Sequence, residues 1–477
     1  MTLPLAFSRC AGGALAATFT LALGACGGGG AEGSGFFSGL PASSAPSPAA
    51  PPESSPPSPA STYSVSGTVN GLLGTGLVLQ NNGGDDLPIA ADGRFSFATP
   101  LAGGASYAVS IKSQSKILTR VCTVGNGSGT IAAAAVSDVQ VVCAEPPSRF
   151  AYVSNGNSVS AYAIDATSGA LGPATTLSVP SSYALTVDPS GRFVYVSSAS
   201  GNGVSVYAVD RTTGSLQATG APAVALGGTS AGMAVDPTGR FAYFVNLLGG
   251  GVRAFDIDAH TGALSPMAVP FVETGNLPYG IALDPSGRFA YVVSIDDATV
   301  SAFNIDATSG ALTPMAIPTV ATGVAPHDIA VDPSGRFAYV MNQADQNVTA
   351  YSIDPVSGAL TPLAAARPAT GGSPASITVD PKGRFAYVAN LDSHNVSAYL
   401  LDASTGALTP APTPTISTGS RPVSVTIEAS GRFAYVADGT DGKVSVYDVD
   451  AVSGMLNSRP ALTVDAGQSP NKIVLSR

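Results

Sequence analysis

The feature that most constrains this chain is a repeat. An Arg-Phe-x-Tyr unit recurs at Arg149, Arg192, Arg240, Arg288, Arg336, Arg384 and Arg432, with one spacing of 43 residues followed by five of 48. A period of this size marks stacked supersecondary units, each too small to bury its own apolar faces. One full copy runs from Ser376 through Asp380-Pro381-Lys382-Gly383-Arg384-Phe385-Ala386-Tyr387-Val388-Ala389-Asn390 to Gly406-Ala407-Leu408. It reads as four short strands separated by turns, which is one propeller blade. In the Asp-Pro-Ser-Gly-Arg turn, Asp accepts a local backbone bond, Pro presets the first turn residue and Gly supplies the positive φ. Phe-Ala-Tyr-Val is apolar on both faces, as expected of a strand packed between neighbouring blades.

The ends of the array predict how the ring closes. The copy at Arg149 lacks a preceding Asp-Pro-x-Gly strand, whereas Ser469-Pro470-Asn471-Lys472-Ile473-Val474-Leu475 matches the start of an innermost strand and then stops. Pairing the two completes seven blades and leaves no open ring edge to recruit other chains. The predicted fold is all-β: a seven-bladed β-propeller over 146–477, closed by its C-terminal strand.

Ahead of it, residues 62–145 alternate with period two. Tyr63, Val65 and Val69 form one set, Phe95 and Phe97 a second, and Tyr107, Val109 and Ile111 a third. Turn residues separate them, so this segment is expected to be a small antiparallel, immunoglobulin-like β-sandwich acting as a spacer. Cys122 and Cys143 both fall in it. An oxidising compartment allows them to pair, a link worth about 3 kcal/mol by loop entropy.

The first 25 residues read as an export signal, with Arg9 before an apolar stretch that ends in Leu23-Gly24-Ala25-Cys26. That ending resembles a bacterial lipobox, which makes Cys26 the lipidated residue and the membrane the first partner. Residues 26–61 are Gly-rich, then Pro/Ser/Ala-rich, and form an extended tether. The expected location is the cell envelope, and Gly27 is consistent with the outer membrane. The net charge of −10 and the lack of any basic run exclude a nucleic-acid role. Three histidines and no spare cysteine argue against a zinc or copper centre, and no cofactor is expected. A monomer is expected.

Copies such as Phe385-Ala386-Tyr387-Val388-Ala389-Asn390 resemble YVTN-type propeller repeats. The stretch from about Ser148 to Arg477 is similar to the seven-bladed lactonase family, which includes bacterial 6-phosphogluconolactonases. The absence of Trp counts against WD40 blades and against quinone propellers. The resemblance implies lactone hydrolysis as one function, although the repeated motif consists of turn and core residues.

Function in a propeller sits where the copies differ, at the rim of the channel. Aligning the innermost-strand starts gives Tyr183, Ala231, Tyr279, His327, Ala375, Val423 and Asn471 at one position. The next position gives Ala184, Gly232, Gly280, Asp328, Ser376, Ser424 and Lys472. Arg421 is the charged exception at its own loop position. Pro326-His327 looks like a Pro-His element of lactonase-family members, which makes His327 the candidate general base. Tyr183, Tyr279, Asp328, Arg421, Asn471 and Lys472 are candidate substrate contacts, with Lys472 or Arg421 facing the developing oxyanion. Adjacent strand residues point to opposite faces, so Asp328 need not orient His327. His260 reads as a surface turn residue and His394 as a loop residue on the same rim as His327.

Two functions follow. The first is a tethered binding scaffold presenting loops to an envelope protein or glycan, and the second is a lactone hydrolase using His327. Clustering of His327, Tyr279, Arg421 and Lys472 around one cavity favours the enzyme, whereas a shallow, uniform rim favours the scaffold.

Overall fold

The computed structural model describes residues 61–477 apart from 202, 365 and 366. The signal, Cys26 and almost all of the tether lie outside the described residues. Seven blades are present among the described residues. The copies beginning at Arg240, Arg288, Arg336 and Arg384 each give a four-stranded antiparallel sheet, for example Pro326–Val331, Phe337–Asn342, Asn347–Ile353 and Leu360–Pro362. The last copy adds the two-residue strand Val464–Asp465 to its four. The first two blades are fused because the strand Thr175–Val187 runs from the outer edge of one to the centre of the next.

Closure occurs as the sequence predicts. Lys472–Ser476 pairs antiparallel with Phe150–Ser154, placing Lys472 opposite Ser154 and Ser476 opposite Phe150. The C-terminal strand thereby becomes the innermost strand of the first blade.

The repeated motif is a code for joining blades. In every copy the Tyr hydroxyl donates to the carbonyl of a turn glycine in the next blade, at 2.7–3.1 Å. The seventh of these, Tyr435 to Gly169, closes the ring at 2.9 Å. The preceding Phe packs on the same glycine. A Cβ on Gly262, whose φ is +72°, would lie 2.5 Å from the Phe193 ring, so only glycine fits. The motif arginine lies over its own Phe ring and, in most copies, reaches carbonyls of the same neighbouring turn, as Arg240 does with Thr308 at 2.7 Å. Behind six of the seven motifs a carboxylate organises the tight turn. Asp332 accepts from the Arg336 and Phe337 amides, both at 2.8 Å, and Glu428 stands in for Asp in the last blade.

The strands between Thr62 and Ala144 form two facing four-stranded sheets, with a two-stranded pair of Thr62–Tyr63 and Leu101–Ala102 beside them, over a shared core that includes Val65, Leu79, Phe95, Tyr107 and Val141. The sandwich is not wholly antiparallel, which corrects the sequence expectation. Val136–Ala144 pairs parallel with Val65–Asn70, with Val141 beside Val69. A long connection lets first and last strands run the same way. Gly67 makes this pairing fit, since a Cβ there would lie 2.0 Å from the Val139 carbonyl oxygen. Cys122 and Cys143 face each other on adjacent strands and are joined, so the bridge staples one sheet instead of linking the two.

The sandwich lies against the propeller face that carries the Asp-Pro turns. The Leu118 amide donates to the Pro237 carbonyl at 2.8 Å, and Glu145 pairs with Arg477 at 3.5 Å. The opposite face is the rim that bears His327.

Candidate active site at the channel mouth

Five of the seven innermost strands begin with an irregularity that aims one side chain at the channel. Pro326 pairs with Asn342, but the next partner of Met341 is Asp328, so His327 is left out of the ladder. The same slip follows Pro374 and Pro422, and a wider one follows Ser182 and Pro278. Bulges of this kind re-aim a side chain. Ahead of six innermost strands, including all five with a bulge, one residue turns the chain over the rim with positive φ: Ser181, Leu277, Ala325, Ser373, Arg421 and Ser469, at +52° to +57°. Such a backbone costs on the order of 1–2 kcal/mol for a non-glycine residue. It is held by the neighbouring hairpin, as where the Gln343 amide donates to the Ala325 carbonyl at 2.8 Å.

The rim encloses a cavity of about 320 Å³. Tyr183, Tyr279, His327, Asp328, Asn471 and Lys472 all line it. Its other side is apolar, with Ala375, Leu391 and Val423, and its floor includes Met233 and Ile281. Below that floor is a second chamber of about 450 Å³ that reaches the sandwich residues Leu73, Thr119 and Arg120.

Within the cavity, the Tyr183 and Tyr279 hydroxyls are 2.8 Å apart. The Tyr279 ring stacks on the His327 imidazole, with centroids 4.4 Å apart and planes 27° from parallel. Burial holds the imidazole below its ordinary value, and the nearby Asp328 carboxylate only partly offsets this. His327 is therefore neutral at neutral pH and able to accept a proton. Burial, with the adjacent Tyr183 and Asp328, pushes the Tyr279 phenol up, so that hydroxyl stays a donor.

The other candidates separate by what they touch. Asp328 accepts from the amides of Ile329 at 3.0 Å and Ile377 at 3.1 Å, which ties its blade to the next and leaves His327 without a carboxylate orienter. Asn471 braces the seam, its amide donating to the Ser154 carbonyl at 2.8 Å and its side chain reaching the Ser182 carbonyl at 3.4 Å. The Lys472 ammonium has no hydrogen-bond or ion-pair partner among the described residues.

Arg421 does not line the cavity, which corrects the sequence expectation. It occupies the positive-φ position one residue before the bulge, and its guanidinium pairs with Asp392 at 3.2 Å in solvent. Its amide donates to His394 Nδ1 at 3.0 Å, so His394 fixes a rim loop and does not face the channel. His260 is an exposed turn residue on the far face.

Two features escaped the sequence reading. Gln343 lines the cavity and donates to the Pro374 carbonyl at 3.4 Å. A signal existed seven residues after each motif arginine, where the other copies carry Ala199, Leu247, Ile295, Leu391, Gly439 and Gly156. Gly280 permits a close approach between blades, because a Cβ there would sit 2.9 Å from the His327 carbonyl oxygen.

The sequence profile of the family described as lactonase, 7-bladed beta-propeller, matches residues 108–231 and 232–415, well over half of the chain. The chain belongs to this family. Among solved structures, this lactonase-family propeller is similar to the periplasmic gluconolactonase of Pseudomonas aeruginosa. The identity is 19% and the TM-score 0.59, covering 69% of this chain and 99% of that one. It is similar to a candidate 6-phosphogluconolactonase from Bacteroides fragilis, at 21% identity and TM-score 0.59, over 69% of this chain and 98% of the other. A protein from Lactobacillus plantarum aligns at 19% identity and TM-score 0.59, over 70% and 100% respectively. At these identities the likeness speaks for the fold. No curated protein matches the chain. The rim is neither shallow nor uniform, and family and cavity together favour the hydrolase over the scaffold.

Proposed function

We propose that this protein is a lipid-anchored lactone hydrolase of the cell envelope that opens a small uncharged sugar lactone at the channel mouth. The observation that carries this reading is the convergence of a neutral His327, a tyrosine pair and the unpartnered Lys472 on one 320 Å³ cavity.

In this reading a water molecule attacks the lactone carbonyl while His327 takes its proton. The carbonyl π electrons move to oxygen, where Lys472 donates to the oxyanion. Collapse breaks the bond to the ring oxygen, which recovers the proton from the imidazolium, and the product is the open hydroxy acid. Gln343 supplies a contact for a substrate hydroxyl.

Charge favours an uncharged ring. A phosphate needs several converging cations. Lys472 is the one cationic side chain lining the cavity among the described residues, and Asp328 shares that wall. The name of the Pseudomonas aeruginosa neighbour, a periplasmic gluconolactonase, agrees with both substrate and compartment. The envelope assignment rests on the Cys26 lipobox and the 26–61 tether, and the Cys122–Cys143 bridge suits an oxidising compartment.

The test is acid release by the purified chain lacking residues 1–26, on gluconolactone, 6-phosphogluconolactone and an acyl-homoserine lactone. The reading expects turnover of gluconolactone well above its spontaneous opening and weaker turnover of the phosphorylated ring. Background rates on all three would reject it and return the rim to a binding role.

A further inference from the structure

The rim series Tyr183, Ala231, Tyr279, His327 occupies four successive blades, the second to the fifth. Tyr183 reaches across the third blade to bond the Tyr279 hydroxyl at 2.8 Å, and the residue between them is alanine. Beyond that bond, the Tyr279 ring lies flat on His327. The aligned positions of the other three blades, Ala375, Val423 and Asn471, form no such chain.

We propose that Tyr279 is a positioning residue: clamped by Tyr183 through the gap left by Ala231, it fixes the plane of the His327 imidazole and seals one of its faces from water. The inference rests on the hydrolase reading for its kinetic consequences but not for its structural ones.

First, Asp328 is committed to the Ile329 and Ile377 amides, so the imidazole has no carboxylate to hold it and the stack takes over that role. Second, a phenol alone at a channel mouth could turn about its side-chain torsions. The bond to Tyr183 anchors its far end, and burial pushes the Tyr279 phenol up so that the bond persists across the working pH range. Third, covering one ring face removes water that would solvate the imidazolium, the same direction in which burial acts on His327. The ionisable groups that share the cavity with the imidazole are Asp328 on its own strand, Tyr279 and Tyr183 from the fourth and second blades, and Lys472 from the first. Of these Asp328 favours the charged form, so the ring cover and the burial it brings must outweigh it.

The chain has three histidines, so ¹⁵N-histidine NMR resolves His327 once its signal is assigned by its loss in His327→Gln. In the wild-type protein His327 should titrate below the ordinary imidazole value. Tyr279→Ser should move its midpoint upward, whereas Tyr279→Phe, which keeps the stack, should leave it low. Ala231→Leu, which fills the gap and wedges the tyrosines apart while both remain tyrosine, guards against a misfolded serine variant and should also raise the midpoint. On a lactone substrate, Tyr183→Phe and Tyr279→Phe should each lower kcat/KM by about three- to tenfold, the worth of one hydrogen bond. The double variant should be no worse than either single one. An unchanged midpoint in Tyr279→Ser and Ala231→Leu would overturn the proposal, as would losses that multiply in the double variant. Because the titration is read without turnover, an inactive wild-type protein would reject the hydrolase reading and leave the clamp standing.

Discussion

Asp438 carries the sharpest stability prediction. It closes the central strand of the last blade at the position held by Asn342 and Asn390 in two others, and it is fully buried. Those asparagines donate from Nδ2 to Thr349 and Ser397 hydroxyls at 2.8 Å, and Asn342 Oδ1 accepts from the Gly323 amide at 3.1 Å. Asp438 instead accepts from Ser445 at 2.6 Å, and its second oxygen is buried without a partner. Burial raises its carboxyl from 3.8 to about 6, with Asp441 adding to the rise and the Ser445 and Gly419 contacts opposing it. A shift of about two units corresponds to roughly 3 kcal/mol. The sign follows from linkage. A folded-state value above the unfolded one means that the native chain holds the extra proton between about pH 4 and 6, so this group's contribution is present below that window and lost above it. Asp438→Asn should therefore gain up to about 3 kcal/mol over wild type at pH 7.5, a gain that fades as the pH falls toward 4. Urea unfolding of both proteins at pH 4, 5, 6 and 7.5 measures it. A variant no more stable than wild type at pH 7.5, or a difference independent of pH, would refute the reasoning.

Three further outcomes follow from the same contacts. Tyr435→Phe removes the hydroxyl that closes the ring on Gly169 and strands a buried carbonyl, so it should cost about 1–3 kcal/mol, read as a lower midpoint in urea. Reducing Cys122–Cys143, or replacing both with serine, should destabilise the sandwich by about 3 kcal/mol and leave propeller turnover intact, measured by unfolding and activity on one sample. Lys472→Met should lower kcat on the lactone by about ten- to a hundredfold with little change in KM if the ammonium meets the oxyanion, and a KM effect alone would move it to substrate binding.

The repeat made the propeller legible because its motif residues serve neighbouring blades and not a ligand: Phe on glycine, Tyr on the same glycine's carbonyl, Asp under the turn. The missing strand before Arg149 and the surplus one after Ser469 likewise named their own pairing. The cavity wall was readable because blades in register put His327, Tyr279 and Lys472 at aligned positions. What the chain did not reveal depends on ring geometry or on backbone conformation. Tyr183 and Tyr279 lie 96 residues apart with a whole blade between them, so their contact appears only when the ring closes. Arg421 looked like a channel cation, but the left-handed backbone at its position turns the side chain out to Asp392. In the sandwich, alternation identified the buried faces but is blind to strand direction, and the parallel pairing of Val65–Asn70 with Val136–Ala144 stayed hidden.

The central claim is that the channel mouth catalyses through His327, and the most direct measurement is kcat/KM on gluconolactone for wild type and His327→Ala at one pH, with thermal unfolding of both. The account predicts a loss of at least a hundredfold with the folded state intact, in line with removal of a general base. A variant that opens the lactone at the wild-type rate would contradict it.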